Sequence, residues 1–480
     1  MKHNMKKITL FVLAAGLFAA GCKKVDFGDT NVNPNATTTP ITAALLTNVL
    51  SQMANDVWDA GGISTVAGLY CQFGAETQYT DASRYAKPTF DLGGYYTGPL
   101  YDLQNIINTN ESSPEAASKY GSNANQIAVA RILKAYFFWR VTDYWGDIPY
   151  SNALKGAGLD QTYDKQQDIY PALINELKAA VAQFDGGGAP QGDILFDGDI
   201  DQWKKFANSI RLLMALRMSK VNASLGQTEF NSALSAGVIS SNAENAKLAF
   251  PGGNFNNPYY QYYNITQRRD LAVSATITDW LVENADSRVN AFGSSAVGFE
   301  YGLTRDDAIA FANANTNWAR MMSNALRTST NPVTIISASQ IMLARAEAAQ
   351  RGWTSENAAT LYQNGIQASW EEWGVYNATA FGTYMGDADV ALTSGTELAK
   401  IATQQWLAFF PNGSQGFANW RRTGYPVLAP APGQANAIPR RFPHGTTEQQ
   451  NNKTNWENGT TVYTVSGESD SQWGKVWWDN

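Results

Sequence analysis

The chain has 480 residues, of which 44% are apolar and only 16% charged. That supplies a sizeable core and excludes an intrinsically disordered chain. Lysine and arginine total 35 against 42 acids, a net charge of −7. With no basic patch to offset it, this balance excludes nucleic acid as a partner. Length alone favours two or three domains.

Residues 1–21 read as an export signal. Lys2, Lys6 and Lys7 form its positive end, and residues 8–20 are apolar but too short to span a bilayer. Small residues then precede a thiol in Ala19-Ala20-Gly21-Cys22. This resembles the lipobox of bacterial lipoproteins, with Ala19 where leucine is usual, and implies diacylglyceryl transfer to Cys22. An ordinary secretory signal is the alternative. Removing residues 1–21 leaves 32 basic and 42 acidic residues, or −10. An acylated Cys22 also leaves Cys71 without a disulfide partner, and its neighbours Leu69, Tyr70 and Phe73 suit a small buried apolar residue. Since His3 departs with the signal, His444 alone remains. Zinc clusters and histidine-based triads are thereby disfavoured, and no metal or other cofactor is expected. Residues 22–40, rich in Asn, Thr and Pro, read as an extended tether.

Residues 41–58 have helical spacing and end at Gly61-Gly62. Residues 70–101 then set eight aromatics among Gln, Asp, Thr and Gly, too polar for a core helix and too aromatic for an idle loop. A helix resumes over 100–108. Between 127 and 142 only Arg131, Lys134, Arg140 and Thr142 interrupt the apolar residues, so this helix must be covered on several sides. It runs into Asp143-Tyr144-Trp145-Gly146-Asp147-Ile148-Pro149-Tyr150. Residues 168–184 form an antiparallel partner.

In 191–219, Asp199 or Asp201 can cap a helix whose buried stripe is Trp203, Phe206, Ile210 and Leu213. Asp193, Asp197, Asp199 and Asp201 lack the regular calcium-loop pattern, so turn and cap chemistry is preferred to metal. Residues 230–238 and 273–283 read as helices. Residues 254–264, with four tyrosines and four asparagines around a proline, read as a loop, and 292–325 carries no assignable period. Residues 335–352 and 354–373 read as another antiparallel pair, followed by 397–410 and 416–428.

Four segments resemble the SusD/RagB family: the run ending Tyr144-Trp145-Gly146-Asp147-Ile148-Pro149-Tyr150, the Asp199–Ser209 segment with Trp203-Lys204-Lys205-Phe206-Ala207-Asn208-Ser209, the Ala344-Arg345-Ala346-Glu347 helix end, and Trp420-Arg421-Arg422-Thr423-Gly424 with Ile438-Pro439-Arg440-Arg441-Phe442-Pro443. Their order along the chain is more specific than any one of them. The resemblance implies an all-α fold of tetratricopeptide-like helix pairs (127–184, 202–238, 335–373 and 397–422) with long irregular insertions. All of residues 41–480 would then form one domain, against the count suggested by length.

Two stretches mix rings with hydrogen-bonding side chains in the way sugar faces and rims require. They nominate Gln78, Tyr79, Asp81, Arg84, Tyr85, Tyr95 and Tyr96, then Tyr259, Tyr260 and Tyr262, with Trp280 as a further ligand-binding candidate. Packing within the domain is the alternative for each. The arginines at 421, 422, 440 and 441 suit structural ion pairs and stacking. No carboxylate pair stands out as catalytic, so an all-α glycoside hydrolase is the disfavoured rival and no enzymatic activity is expected. The resemblance implies a lipid-anchored protein on the outer membrane of a Gram-negative bacterium, facing the exterior. It would bind an oligosaccharide, or in some relatives a peptide, for a SusC-like TonB-dependent transporter.

Overall fold

Thr42–Val57 (α1) presents Leu46, Val49, Leu50, Met53 and Val57 along one buried stripe, the spacing that commits a helix to a core. The computed structural model describes residues 40–156 and 161–480. The expected signal at 1–21, the lipidation site Cys22 and residues 22–39 of the expected tether lie outside the described residues. Residues 42–480 form one compact unit.

The chain continues through Ile63–Tyr70 (α2), Pro99–Ser112 (α3), Asn123–Trp145 (α4) and Gln166–Gln183 (α5). Ile200–Arg217 (α6), Ala223–Ser235 (α7), Ala275–Glu283 (α8) and Arg305–Ala314 (α9) follow. Next come Ala338–Gln350 (α10), Ala358–Glu372 (α11), Ala378–Met385 (α12), Glu397–Phe409 (α13) and Gly413–Thr423 (α14). Helices α3 to α7 each pack on the next, and α10 packs on α6, α11 and α13. Helix α14 then packs on both α13 and α2, so the last helix pair meets the first helices. The all-α expectation holds, and the four expected pairs are α4–α5, α6–α7, α10–α11 and α13–α14.

Helix α4 is buried almost throughout and stops at Gly146, where φ is 86°. A Cβ there would meet the Tyr463 hydroxyl, so only glycine fits both the backbone and the neighbour. Gly413 plays the corresponding part at the start of α14, where a Cβ would strike the Ser64 carbonyl of α2. The aspartates around 193–201 serve turns and caps. The Asp193 carboxylate accepts from the Leu195, Phe196 and Gly198 amides and from Trp203 Nε1, and Asp199 caps α6 through the Asp201 and Gln202 amides.

The paired arginine segments are structural. Arg422 meets Glu347, Arg440 meets Asp479 while lying 4.8 Å over the Trp420 ring, and Arg441 meets Asp470. Arg421 has no carboxylate partner among the described residues; it lies between Phe417 and Trp478, donating to the Asp143 carbonyl. His444 is buried on Asp470, and burial pushes its pKa down. Cys71 is free and fully buried.

Two expectations change. Residues 335–352 are not one helix: Val333–Ile336 (β6) pairs antiparallel with Ala246–Leu248 (β4), as Ile148–Pro149 (β2) does with Tyr163–Asp164 (β3), and Ser337 then caps α10 in a capping box with Gln340. The β-branched Val333, Thr334, Ile335 and Ile336 favour the strand. Nor are residues 254–264 simply a loop. Asn257 caps the turn Pro258–Tyr260, which runs on as a π-helical turn, Gln261–Ile265.

Candidate glycan-binding surface

A two-stranded antiparallel sheet joins the two aromatic stretches. Gly74–Glu76 (β1) pairs with Leu271–Val273 (β5), and the Thr77 amide donates to the Asp270 carbonyl. Loop 77–86 therefore borders the segment that follows the 254–265 turn. Beneath the sheet, Ala75, Ala272, Phe299, Ala308 and Trp318 form a small apolar cluster.

The nominated residues divide by position. Gln78, Tyr79 and Asp81 are exposed on loop 77–86, and Arg305 lies 5.7 Å over the Tyr79 ring, which is 51% exposed. Arg84 is half-buried and donates to the Gly302 and Pro432 carbonyls, tying three loops together. Tyr85 is buried, its hydroxyl accepting from the Ala431 amide. Tyr95 and Tyr96 lie apart from this loop, half-buried on α4. Tyr95 donates to Asp56, and Tyr96 donates to the Pro149 carbonyl at 2.5 Å with its ring edge-on to Phe138. Tyr259 is buried against Trp58, and Tyr260 is half-buried. Tyr262 is buried, with Arg268 5.7 Å over its ring and Asp270 accepting from its hydroxyl. Trp280, half-buried on α8, packs edge-on to Tyr384.

Beside Tyr262 is an open groove of about 530 Å³ between α1 and the 254–268 segment. Asn254, Asn256 and Gln261 line one side, and Asn55 and Asp59 the other. Phe255 stands at its edge, 64% exposed. A phenyl ring so exposed has no part in the core, and the amides beside it offer both donors and acceptors. Phe255 is not among the rings nominated from the sequence; its place between Asn254 and Asn256 is the signal that marks it. Asp59 is half-buried, and desolvation followed by the Asp56 charge pushes its carboxyl up, against the Ser64 and Thr65 amides that donate to it.

Glu76, at the end of β1, holds loop 77–86 by accepting from the Ser83 amide and hydroxyl, both at 2.8 Å. Burial pushes its carboxyl up to about 7 despite those donors. A carboxyl raised in the folded state binds its proton more tightly there than in the unfolded chain. Its contribution is therefore complete below the usual glutamate range and is lost as pH rises toward 7. Between pH 5 and pH 8, Glu76→Gln should lose less unfolding free energy than wild type, by on the order of 2 kcal/mol. Urea titrations at the two pH values measure the difference.

A family model described as starch-binding associating with outer membrane matches residues 34–444. The chain belongs to the SusD-like family. A comparison with curated proteins finds no match. Among solved structures, a chitin-binding protein aligns with a TM-score of 0.76 at 29% identity, covering 91% of this chain and 99% of that one. A chitin-binding SusD homolog from Flavobacterium johnsoniae aligns at 0.74 and 23% identity, covering 91% and 98%. A SusD homolog from Bacteroides uniformis aligns at 0.75 and 22%, covering 92% and 99%. These last two establish the shared SusD-like fold. The family description and the chitin-binding relative at 29% identity name binding, in line with the expectation of no enzymatic activity.

Proposed function

We propose that this SusD-like chain is a cell-surface lipoprotein that binds a nutrient oligosaccharide and delivers it to a SusC-like TonB-dependent transporter. The observation that carries the reading is Phe255, exposed at the rim of an amide-lined groove. The C–H face of a sugar ring stacks on such a ring while its hydroxyls reach Asn254, Asn256 and Gln261. Tyr79 offers a second exposed ring on loop 77–86, and the buried Tyr259 and Tyr262 back the groove from within. The family description and the chitin-binding relative at 29% identity support a glycan over a peptide.

In this reading residues 1–21 are the removed signal, Cys22 carries the lipid, residues 22–40 are the tether and residues 41–480 the single binding domain. The protein then sits on the outer membrane facing the exterior. Anchoring raises its local concentration at the transporter. Purified protein titrated against oligosaccharide and peptide panels should bind members of the first and none of the second. Binding confined to peptides would reverse the ligand class.

A further inference from the structure

Arginines in this chain are mostly matched to acids: Arg131 to Glu176, Arg288 to Asp286, Arg345 to Glu356 and Arg441 to Asp470. Around Tyr263 the pattern breaks. The Tyr263 hydroxyl donates to the Leu271 carbonyl at 2.6 Å and accepts from the Met321 amide at 3.2 Å, so it ties the start of β5 to residues 320–322. Arg320 directly precedes Met321, and Arg269 lies two positions before Leu271. Arg327 lies 5.0 Å over the same ring and donates to the Met321 and Met322 carbonyls and to Asn324.

None of the three has a carboxylate at ion-pair distance among the described residues. Arg269 is exposed. Arg320 rests 4.5 Å over Trp318, and Arg327 keeps its Nε buried without a partner. Asp270, the adjacent acid, is taken by Arg268 and Tyr262. Burial and then the neighbouring Arg269 charge push the Arg320 guanidinium below its usual range; burial does the same to Arg327, with Arg320 adding to it. Three cations that repel one another, on a chain of net charge −7, destabilise the free surface. An oxyanion seated among them relieves that repulsion and takes charge-assisted hydrogen bonds from planar guanidinium groups.

We propose that Arg269, Arg320 and Arg327 form a subsite for an oxyanion substituent, carboxylate or sulfate, on the bound oligosaccharide. This rests on the glycan reading, because Arg268 joins the cluster to the Tyr262 edge of the groove. It makes the preferred substrate an acidic glycan.

The test titrates three oligosaccharides of matched length into the protein at low salt: an oligogalacturonate, a sulfated oligosaccharide and neutral chitohexaose. At least one acidic ligand should bind about tenfold or more tighter than the neutral one. The doubly substituted Arg269→Gln, Arg320→Gln protein should lose that preference while binding the neutral ligand as wild type does. Which acidic ligand responds tells carboxylate from sulfate. Neutral binding as tight as acidic binding, or an acidic preference that survives both substitutions, overturns the subsite and leaves the glycan reading standing. Binding of an oligoglutamate peptide as tight as that of the best acidic glycan also overturns it. Failure of all three oligosaccharides to bind removes the glycan reading as well. An unchanged thermal midpoint in the double variant shows that the fold is intact.

Discussion

Glu347→Ala should lower the unfolding free energy by about 3–5 kcal/mol, the cost of leaving a buried charge unpaired. The Glu347 carboxylate accepts from both terminal nitrogens of Arg422, at 2.5 and 2.6 Å, from Arg351 at 2.8 Å and from Gln405 at 2.9 Å. It thereby joins α10, α13 and α14. Truncation strands Arg422, whose side chain is 3% exposed, with no carboxylate in its place. Lys453→Ala, which breaks a pair open to solvent at 3.7 Å, should change stability by no more than about 0.5 kcal/mol. Urea unfolding of the two variants measures the contrast.

Acid should find the same site. Burial pushes the Glu347 carboxyl up, but Arg422, then Arg351 and Gln405, more than offset it and hold it down to about 2. A carboxyl depressed in the folded state contributes fully above the ordinary glutamate range, and the contribution is lost as pH falls toward 2. Wild type should therefore lose stability faster than Glu347→Ala over that interval.

Cys22→Ser should move the protein from the membrane fraction to the soluble one. Each buried CH₂ contributes about 0.8 kcal/mol, and a single acyl chain gives only marginal attachment. The three chains expected on a bacterial lipoprotein would make attachment effectively permanent, and a serine hydroxyl is no substrate for the acylation. Among the described residues no helix is long and apolar enough to cross a membrane and hold the variant in place. Fractionation with intact-mass measurement checks the shift, and retention of Cys22→Ser in the membrane would count against the anchor.

Helices were legible where burial leaves a one-dimensional trace. Helix α4 shows itself because polar residues are nearly absent from 127–142, and α6 because Asp199 announces its start. Helix α9 lies in a Gly- and Asn-rich stretch that shows no period. Its signal was local: Thr304 accepts from the Asp307 amide, a cap readable as Thr-x-x-Asp. The β1–β5 pairing could not be seen, because three-residue strands nearly 200 positions apart have no periodicity to display. Yet that pairing brings loop 77–86 beside Arg268–Asp270.

The candidate surface was legible only as two stretches. Composition marked 72–101 and 254–264 as rich in rings, but not which rings face outward. Tyr95, Tyr96 and Tyr259 pack on α4 or Trp58, whereas Tyr79 and Phe255 face solvent. Exposure depends on which loop lies beside which, and that is decided by long-range contacts.

Calorimetric titration of wild type and Phe255→Ala with the tightest-binding oligosaccharide of the panel tests the glycan surface most directly. Loss of one stacked ring should weaken binding about tenfold, the effect of 1–2 kcal/mol. Equal affinity in the two proteins would place the ligand elsewhere and contradict the account.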